Sequence, residues 1–248
     1  ALGSGVSGNS ANVLTLAVSG SDVYAGGRFT TAGGNPAASI AKWNGSAWSA
    51  LGSGISGFSG TVNALAISGS NVYAGGDFTT AGGNPASCVA RWNGSAWFPL
   101  GSGTQLAVYS LAVSGNDLYA GGGFSTAGGI PANNIAKWNG SAWSALGSGV
   151  TLTGTQGGVT GILVVGTNVY VGGSFDMAGG TPASNVAVWN GSLWAPMGDG
   201  LGFGGISNNA KGLSLVLAGT EIYAAGLITK SGGTEINRIA KWNGSAWS

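Results

Sequence analysis

Protein chemistry starts with side chains that exchange protons, hold metals or attack electrophiles, and this chain carries few of them. Its 248 residues include seven carboxylates, eight Lys and Arg, one cysteine and no histidine. Without histidine there is neither the usual general base near neutral pH nor the commonest metal ligand. Asp22, Asp117 and Glu221 fall in one recurring turn, Asp77 and Asp176 at the end of one recurring strand, and Asp199 and Glu235 in separate loops. None belongs to a dense oxygen-ligand run of the EF-hand kind. Cys88 lacks a histidine to activate it and a second cysteine to pair with. No catalytic residue, metal ligand or cofactor-binding residue is expected, and the chain reads as a non-enzyme.

Other patterns mimic chemistry. Gly3-x-Gly5-x-x-Gly8 and Gly52-x-Gly54-x-x-Gly57 match the dinucleotide fingerprint, which works only where a helix N-terminus follows to hold pyrophosphate, and no helical pattern follows either. Asn-Gly-Ser triplets at Asn44, Asn93, Asn139, Asn190 and Asn243 match the N-glycosylation acceptor, but a position at a hairpin apex explains them as turns. Ten tryptophans could stack on sugar rings; their fixed strand positions point to packing instead. Lys42, Arg91, Lys137 and Lys241 recur just before a Trp, as long stems along apolar surface with solvated heads.

A net charge of +1 offers no field for nucleic acid or an anionic membrane. No apolar run approaches the roughly 18 to 20 residues of a spanning helix, so membrane insertion is not expected either. No basic and apolar leader precedes Ala1, so a signal peptide is expected to have been removed or to lie outside this segment. Few charges beside many Ser, Thr, Asn, Gly and aromatic residues favour an extracellular or cell-surface setting.

The elements that position these residues follow from a repeat. Trp-Asn-Gly-Ser-x-Trp occurs five times, starting at Trp43, Trp92, Trp138, Trp189 and Trp242, at spacings of 49, 46, 51 and 53. A Tyr leading into small residues precedes each first Trp by 19 residues, at Tyr24, Tyr73, Tyr119, Tyr170 and Tyr223. All length variation lies between one unit's Trp and the next unit's Tyr. Within the first unit, strands are expected over 13–18, 23–29, 39–43 and 47–51, with a longer loop over 30–38 and a type I′ turn at Asn44-Gly45. Helical periodicity is absent, and 51 glycines would each cost about 1 kcal/mol inside helices. The expected fold is all-β: one five-bladed β-propeller over 1–248, four antiparallel strands per blade, with units near 1–49, 50–98, 99–144, 145–195 and 196–248. Because Ala1-Leu2-Gly3-Ser4-Gly5 reproduces the Ala50–Gly54 continuation of Trp48-Ser49, the N-terminal segment is expected to complete the last blade and close the ring.

The glycine doublet Gly26-Gly27, then Trp43 and Trp48-Ser49-Ala50-Leu51, resembles kelch-type propeller repeats. The fuller pattern, Val-Tyr-Ala-Gly-Gly-x-Phe-Thr-Thr-Ala-Gly-Gly with Ile-Ala-Lys-Trp-Asn-Gly-Ser-Ala-Trp, is similar to repeats of bacterial secreted and cell-surface proteins and of the fungal Rax2-like family. The resemblance covers all five units and implies a propeller fold; it implies little about activity, because propellers of these families serve many roles. The copper site of kelch-like oxidases uses histidine and does not carry over.

In such a ring the inter-unit connections and the loop between the second and third strands share one face, where all the length variation falls. Loops on a rigid scaffold carry function. That face bears Thr31, Asn35, Thr80, Asn84, Thr126, Thr181 and Thr234, flanked by inter-blade loops such as 56–61 and 200–209. Uncharged hydroxyl and amide groups beside glycine backbone suit a neutral glycan, while the same loop could simply be a folding requirement. The expected function is non-enzymatic recognition of neutral carbohydrate. The alternative is a structural or protein-interaction segment of a larger surface protein.

Overall fold

The computed structural model describes residues 1–203 and 212–248. They are all-β, with no helix among the described residues. Each of the first four units is a four-stranded antiparallel sheet whose strands lie side by side in chain order. In unit 1 these are Asn12–Ser19, Asp22–Arg28, Ile40–Trp43 and Trp48–Ala50. Unit 5 pairs Leu213–Ala218, Glu221–Gly226 and Ile239–Trp242, and Trp247 bridges back to Trp242.

The hairpin after the third strand differs from the expected type I′ turn. Gly45 is left-handed at φ 98°, but Asn44 is not. Instead, Asn44 Oδ1 accepts hydrogen bonds from the Ser46 amide (3.0 Å), the Ser46 hydroxyl (2.9 Å) and the Ala47 amide (2.9 Å). The same three bonds recur in every unit. The asparagine side chain thus makes the turn that backbone dihedrals alone were expected to make.

The expected loop over 30–38 is itself a small hairpin. Thr31–Ala32 pairs with Asn35–Pro36, and the inter-unit stretch Val6–Ser7 adds a third strand. The other units repeat this arrangement, with Thr104 supplying a single bridge in the third. The constant Tyr-to-Trp spacing reflects this second small sheet, which leaves no residue free to vary.

The sheets pack face to face in series. A Cβ on Gly26 would sit 2.6 Å from Val62 of the next sheet, and one on Gly75, Gly121 or Gly172 would sit 2.5 Å from Val108, Val159 or Leu213. The first glycine of each doublet is therefore the socket for the neighbouring sheet's side chain. The core consists of four such inter-sheet clusters, centred on pairs such as Ile40 with Leu65 and Val89 with Leu118. A fifth group, Phe29, Ala32, Ala37 and Ala41 with Val6 and Trp48, belongs to unit 1 alone.

The tryptophans tie each inter-unit segment to the following sheet. Trp97 donates its indole N–H to Leu51 O (2.8 Å), Trp143 to Leu100 O (2.8 Å), Trp194 to Leu146 O (2.6 Å) and Trp247 to Met197 O (2.9 Å). Each is tilted against its partner Trp at 5.4–5.7 Å between ring centres. Trp48 donates to Leu2 O in the same way (2.9 Å), so residues 1–5 dock onto the first sheet. The structure does not show the ring closure expected of that segment. Among the described residues no strand pairing joins it to the last sheet, and the packing between successive sheets has no counterpart between the last and the first.

Candidate functional site

The seven polar residues expected on the loop face sit on the small hairpins in two rows. Thr31, Thr80 and Thr126 occupy the inner hairpin strand and are half-buried. Thr31 Oγ1 lies 2.5 Å from Ser7 Oγ, so its hydroxyl is engaged within the fold. Asn35, Asn84, Thr181 and Thr234 occupy the outer strand and are exposed. The glycines between the rows are packing elements: Gly33, Gly82, Gly128 and Gly179 are left-handed, and a Cβ there would press within 2.8–3.1 Å of Trp48, Trp97, Trp143 or Trp194. Of the expected inter-blade loops, residues 204–209 of the second lie outside the described residues.

What these elements enclose is a row of clefts between successive sheets. The first, about 610 Å³, lies between Phe29, Thr30, Ala38 and Ser39 on one side and the 55–60 segment on the other. The second, about 370 Å³, uses the matching Phe78, Thr79, Ser87 and Cys88 with Thr104, Gln105 and Leu106. The third, about 400 Å³, uses Phe124, Ser125, Asn133 and Asn134 with Thr151, Leu152 and Gln156. Three clefts thus carry equivalent residues at equivalent positions. Of the seven expected residues, Thr126 lines one of them.

Each cleft contains a residue held in the left-handed region: Ser39 (φ 61°), Cys88 (φ 63°) and Asn134 (φ 64°), with Asn185 (φ 65°) and Arg238 (φ 72°) as the further copies. Such φ values cost a non-glycine residue about 1–2 kcal/mol and suit Asn best. The geometry is fixed from both sides. Cys88 donates its amide to Phe78 O (3.0 Å), and its carbonyl accepts from Gly76 N (2.9 Å). The side chains span to the next segment, as Ser39 Oγ to Gly60 O (2.5 Å), Asn134 Nδ2 to Val150 O (2.8 Å) and Asn185 Nδ2 to Leu201 O (2.6 Å). Cys88 occupies this bridging position, and burial pushes its thiol above the ordinary value, against thiolate formation.

Charge contributes little to the clefts. Arg28 edges the first and Asp77 the second. Asp77 accepts a hydrogen bond from Ser59 Oγ (2.8 Å), and Thr61 Oγ1 lies 2.9 Å from the same hydroxyl oxygen. On the opposite face the recurring cations pair across strands, Lys42 with Asp22 (2.6 Å), Lys137 with Asp117 (3.2 Å) and Lys241 with Glu221 (3.0 Å). Arg91, whose unit has Asn71 at the acidic position, stacks on Phe98 at 5.5 Å. Among the described residues no three His, Cys, Asp or Glu side chains gather in a metal-binding group.

The sequence placed loop 56–61 beside the expected face without singling out Phe58. Phe58 lines both the first and second clefts, is 85% exposed and has φ 52°. A bulky aromatic in that backbone region is an outlier, and its exposure means the core is not what holds it there. The available signal was an aromatic inside Ser-Gly-Phe-Ser-Gly, where unit 1 has Asn9. Leu106, 42% exposed, stands at the second and third clefts.

No protein-family model matches the sequence, and no curated protein matches it. Solved structures do. The computationally designed Ika8 protein aligns over 94% of this chain and 69% of its own, with TM-score 0.55 and 16% identity. The WD40 β-propeller domain of Doa1 aligns over 89% of this chain and 64% of its own, with TM-score 0.51 and 14% identity. At these identities the likeness concerns the fold alone: blades of antiparallel strands, as in a β-propeller.

Proposed function

We propose that the chain is a non-enzymatic propeller module, one blade per repeat, that recognises neutral carbohydrate in its inter-blade clefts at an extracellular or cell surface. The observation that carries this reading is Phe58, an exposed aromatic plane between two clefts lined by hydroxyls and backbone amides. A sugar presents an apolar C–H face and a polar hydroxyl edge, which match an aromatic ring beside uncharged donors and acceptors. Equivalent clefts along one face would bind a repeating glycan with avidity beyond that of any single cleft. The near absence of charge removes competition from anionic ligands.

A neutral-glycan array probed with the labelled chain should give binding that Phe58→Ala lowers about tenfold, a change of ~1.4 kcal/mol, with the far-ultraviolet spectrum unaltered. Silence on the array at high protein concentration would remove the carbohydrate reading. The second reading, a protein-interaction segment, draws on the same exposed Phe58 together with Leu106, which could anchor a peptide. A protein partner whose capture depends on both residues would favour it.

A further inference from the structure

The two ends of the sheet series are the two halves of one interface. In the interior, each sheet offers a first face, carrying Val62, Leu65 and Ile67 in unit 2, to the second face of the sheet before it. The register places Val13, Leu16 and Val18 of unit 1 at these positions, opposite Gly27, Ala25 and Val23, as Val62, Leu65 and Ile67 lie opposite Gly76, Ala74 and Val72. Val62 is fully buried and Leu65 nearly so, whereas Val13 is 42%, Leu16 63% and Val18 66% exposed. The second face shows the converse. Ile40, Val89, Ile135 and Val186 are all fully buried against the following sheet, and Ile239, at the same position of the last sheet, is 58% exposed with Val216 at 57%. Each end therefore presents an apolar face of the kind that, four times within the chain, is covered by the complementary face of an adjacent sheet.

We propose that these two faces join head to tail between two copies of this chain. The occupant of each end is a sheet of the type that already covers that face in the interior, and the described residues of a single copy do not bring the two ends together. Such an interface is heterologous, so it closes into a ring when the rotation permits and extends otherwise. One residue modifies the fit. The glycine that accommodates Val62, Val108, Val159 or Leu213 in the interior is replaced by Ala225 in the last sheet. Since a Cβ on the interior glycines would meet the facing side chain at 2.5–2.6 Å, Ala225 keeps Val13 of the second copy from seating as closely as Val62 seats against Gly26.

Sedimentation equilibrium of the chain across a hundredfold concentration range tests this. A mass of two or more copies is expected, shifting with concentration. Leu16→Asp and Ile239→Asp each alter a side chain already exposed within one copy, so each variant should keep the wild-type spectrum while losing self-association. Mixed one to one, the two variants each retain one intact face and should recover a dimer and nothing larger. Ala225→Gly should tighten the wild-type association several-fold, whereas a merely exposed edge would gain nothing from it. A monomer at every concentration, whether its own ends meet or stay free, overturns the proposal. So does an oligomer that survives both substitutions, or a mixture that remains monomeric.

Discussion

The nine-residue string Ile-Ala-Lys-Trp-Asn-Gly-Ser-Ala-Trp occurs identically at 40–48, 135–143 and 239–247. In the first two copies the isoleucine is fully buried; in the third it is 58% exposed. All three have the same strand, the same asparagine-built turn and the same paired tryptophans, so local structure cannot be the cause. The difference is a neighbour: units 1 and 3 are each followed by a sheet that covers the isoleucine, and unit 5 is not. In a chain of repeats, this part of the burial energy belongs to the interface between units.

The widest separation between the two environments should come from Ile135→Ala against Ile239→Ala. Read at a concentration low enough for the chain to be monomeric, the interior change leaves a cavity and should cost about 2–5 kcal/mol in urea unfolding, whereas the end change should cost below about 1 kcal/mol. Equal losses at that concentration would mean that the end face is covered within a single copy. Next in size, Gly121→Ala should cost about 1–3 kcal/mol, because its Cβ would meet Val159 at 2.5 Å, while Ala225→Val, facing no sheet within the chain, should stay within about 0.5 kcal/mol in the monomer.

A smaller contrast concerns residues that unit 5 or unit 2 places against the common pattern. Ser231 occupies the buried site of Ala32, Ala81, Ala127 and Ala178, and its hydroxyl has no hydrogen-bond partner among the described residues. Ser231→Ala should raise stability by about 1 kcal/mol, read from the denaturation midpoint. Cys88→Asn, which fits the left-handed backbone and restores the bridge made by Asn134 and Asn185, should stabilise by a similar amount. The smallest effect should come from Lys137→Met. Its pair with Asp117 is a third exposed, so the midpoint should move by less than about 0.5 kcal/mol and the difference should vanish at high salt.

Much of the fold was legible because repetition amplifies weak signals. Five copies of a Tyr-to-Trp spacing and of Asn-Gly-Ser mark strand, turn and unit boundary even though each alone is ambiguous. The cations before Trp43, Trp138 and Trp242 read as solvated heads, whereas the structure pairs Lys42, Lys137 and Lys241 with Asp22, Asp117 and Glu221; the acid in the earlier turn was the available signal, and Arg91, whose turn carries Asn71, has no acid there. The site was less legible. Thr31 and Asn35 advertise hydrogen bonding, but only tertiary structure shows the first engaged with Ser7 and the second on an outer hairpin strand. Ser39, Cys88 and Arg238 give no sequence hint of a left-handed backbone, because the bonds that hold them there come from the preceding strand.

By itself the sequence determined what is local and repeated: all-β units, Gly at positions too tight for a Cβ, paired tryptophans, and a composition poor in charge and lacking histidine. These follow from sterics and side-chain chemistry that act within a few residues. Tertiary structure alone decided which apolar faces are covered, where clefts open and that Phe58 stands between two of them. Those features depend on how neighbouring sheets meet, and identical strings such as 135–143 and 239–247 carry no record of their neighbours.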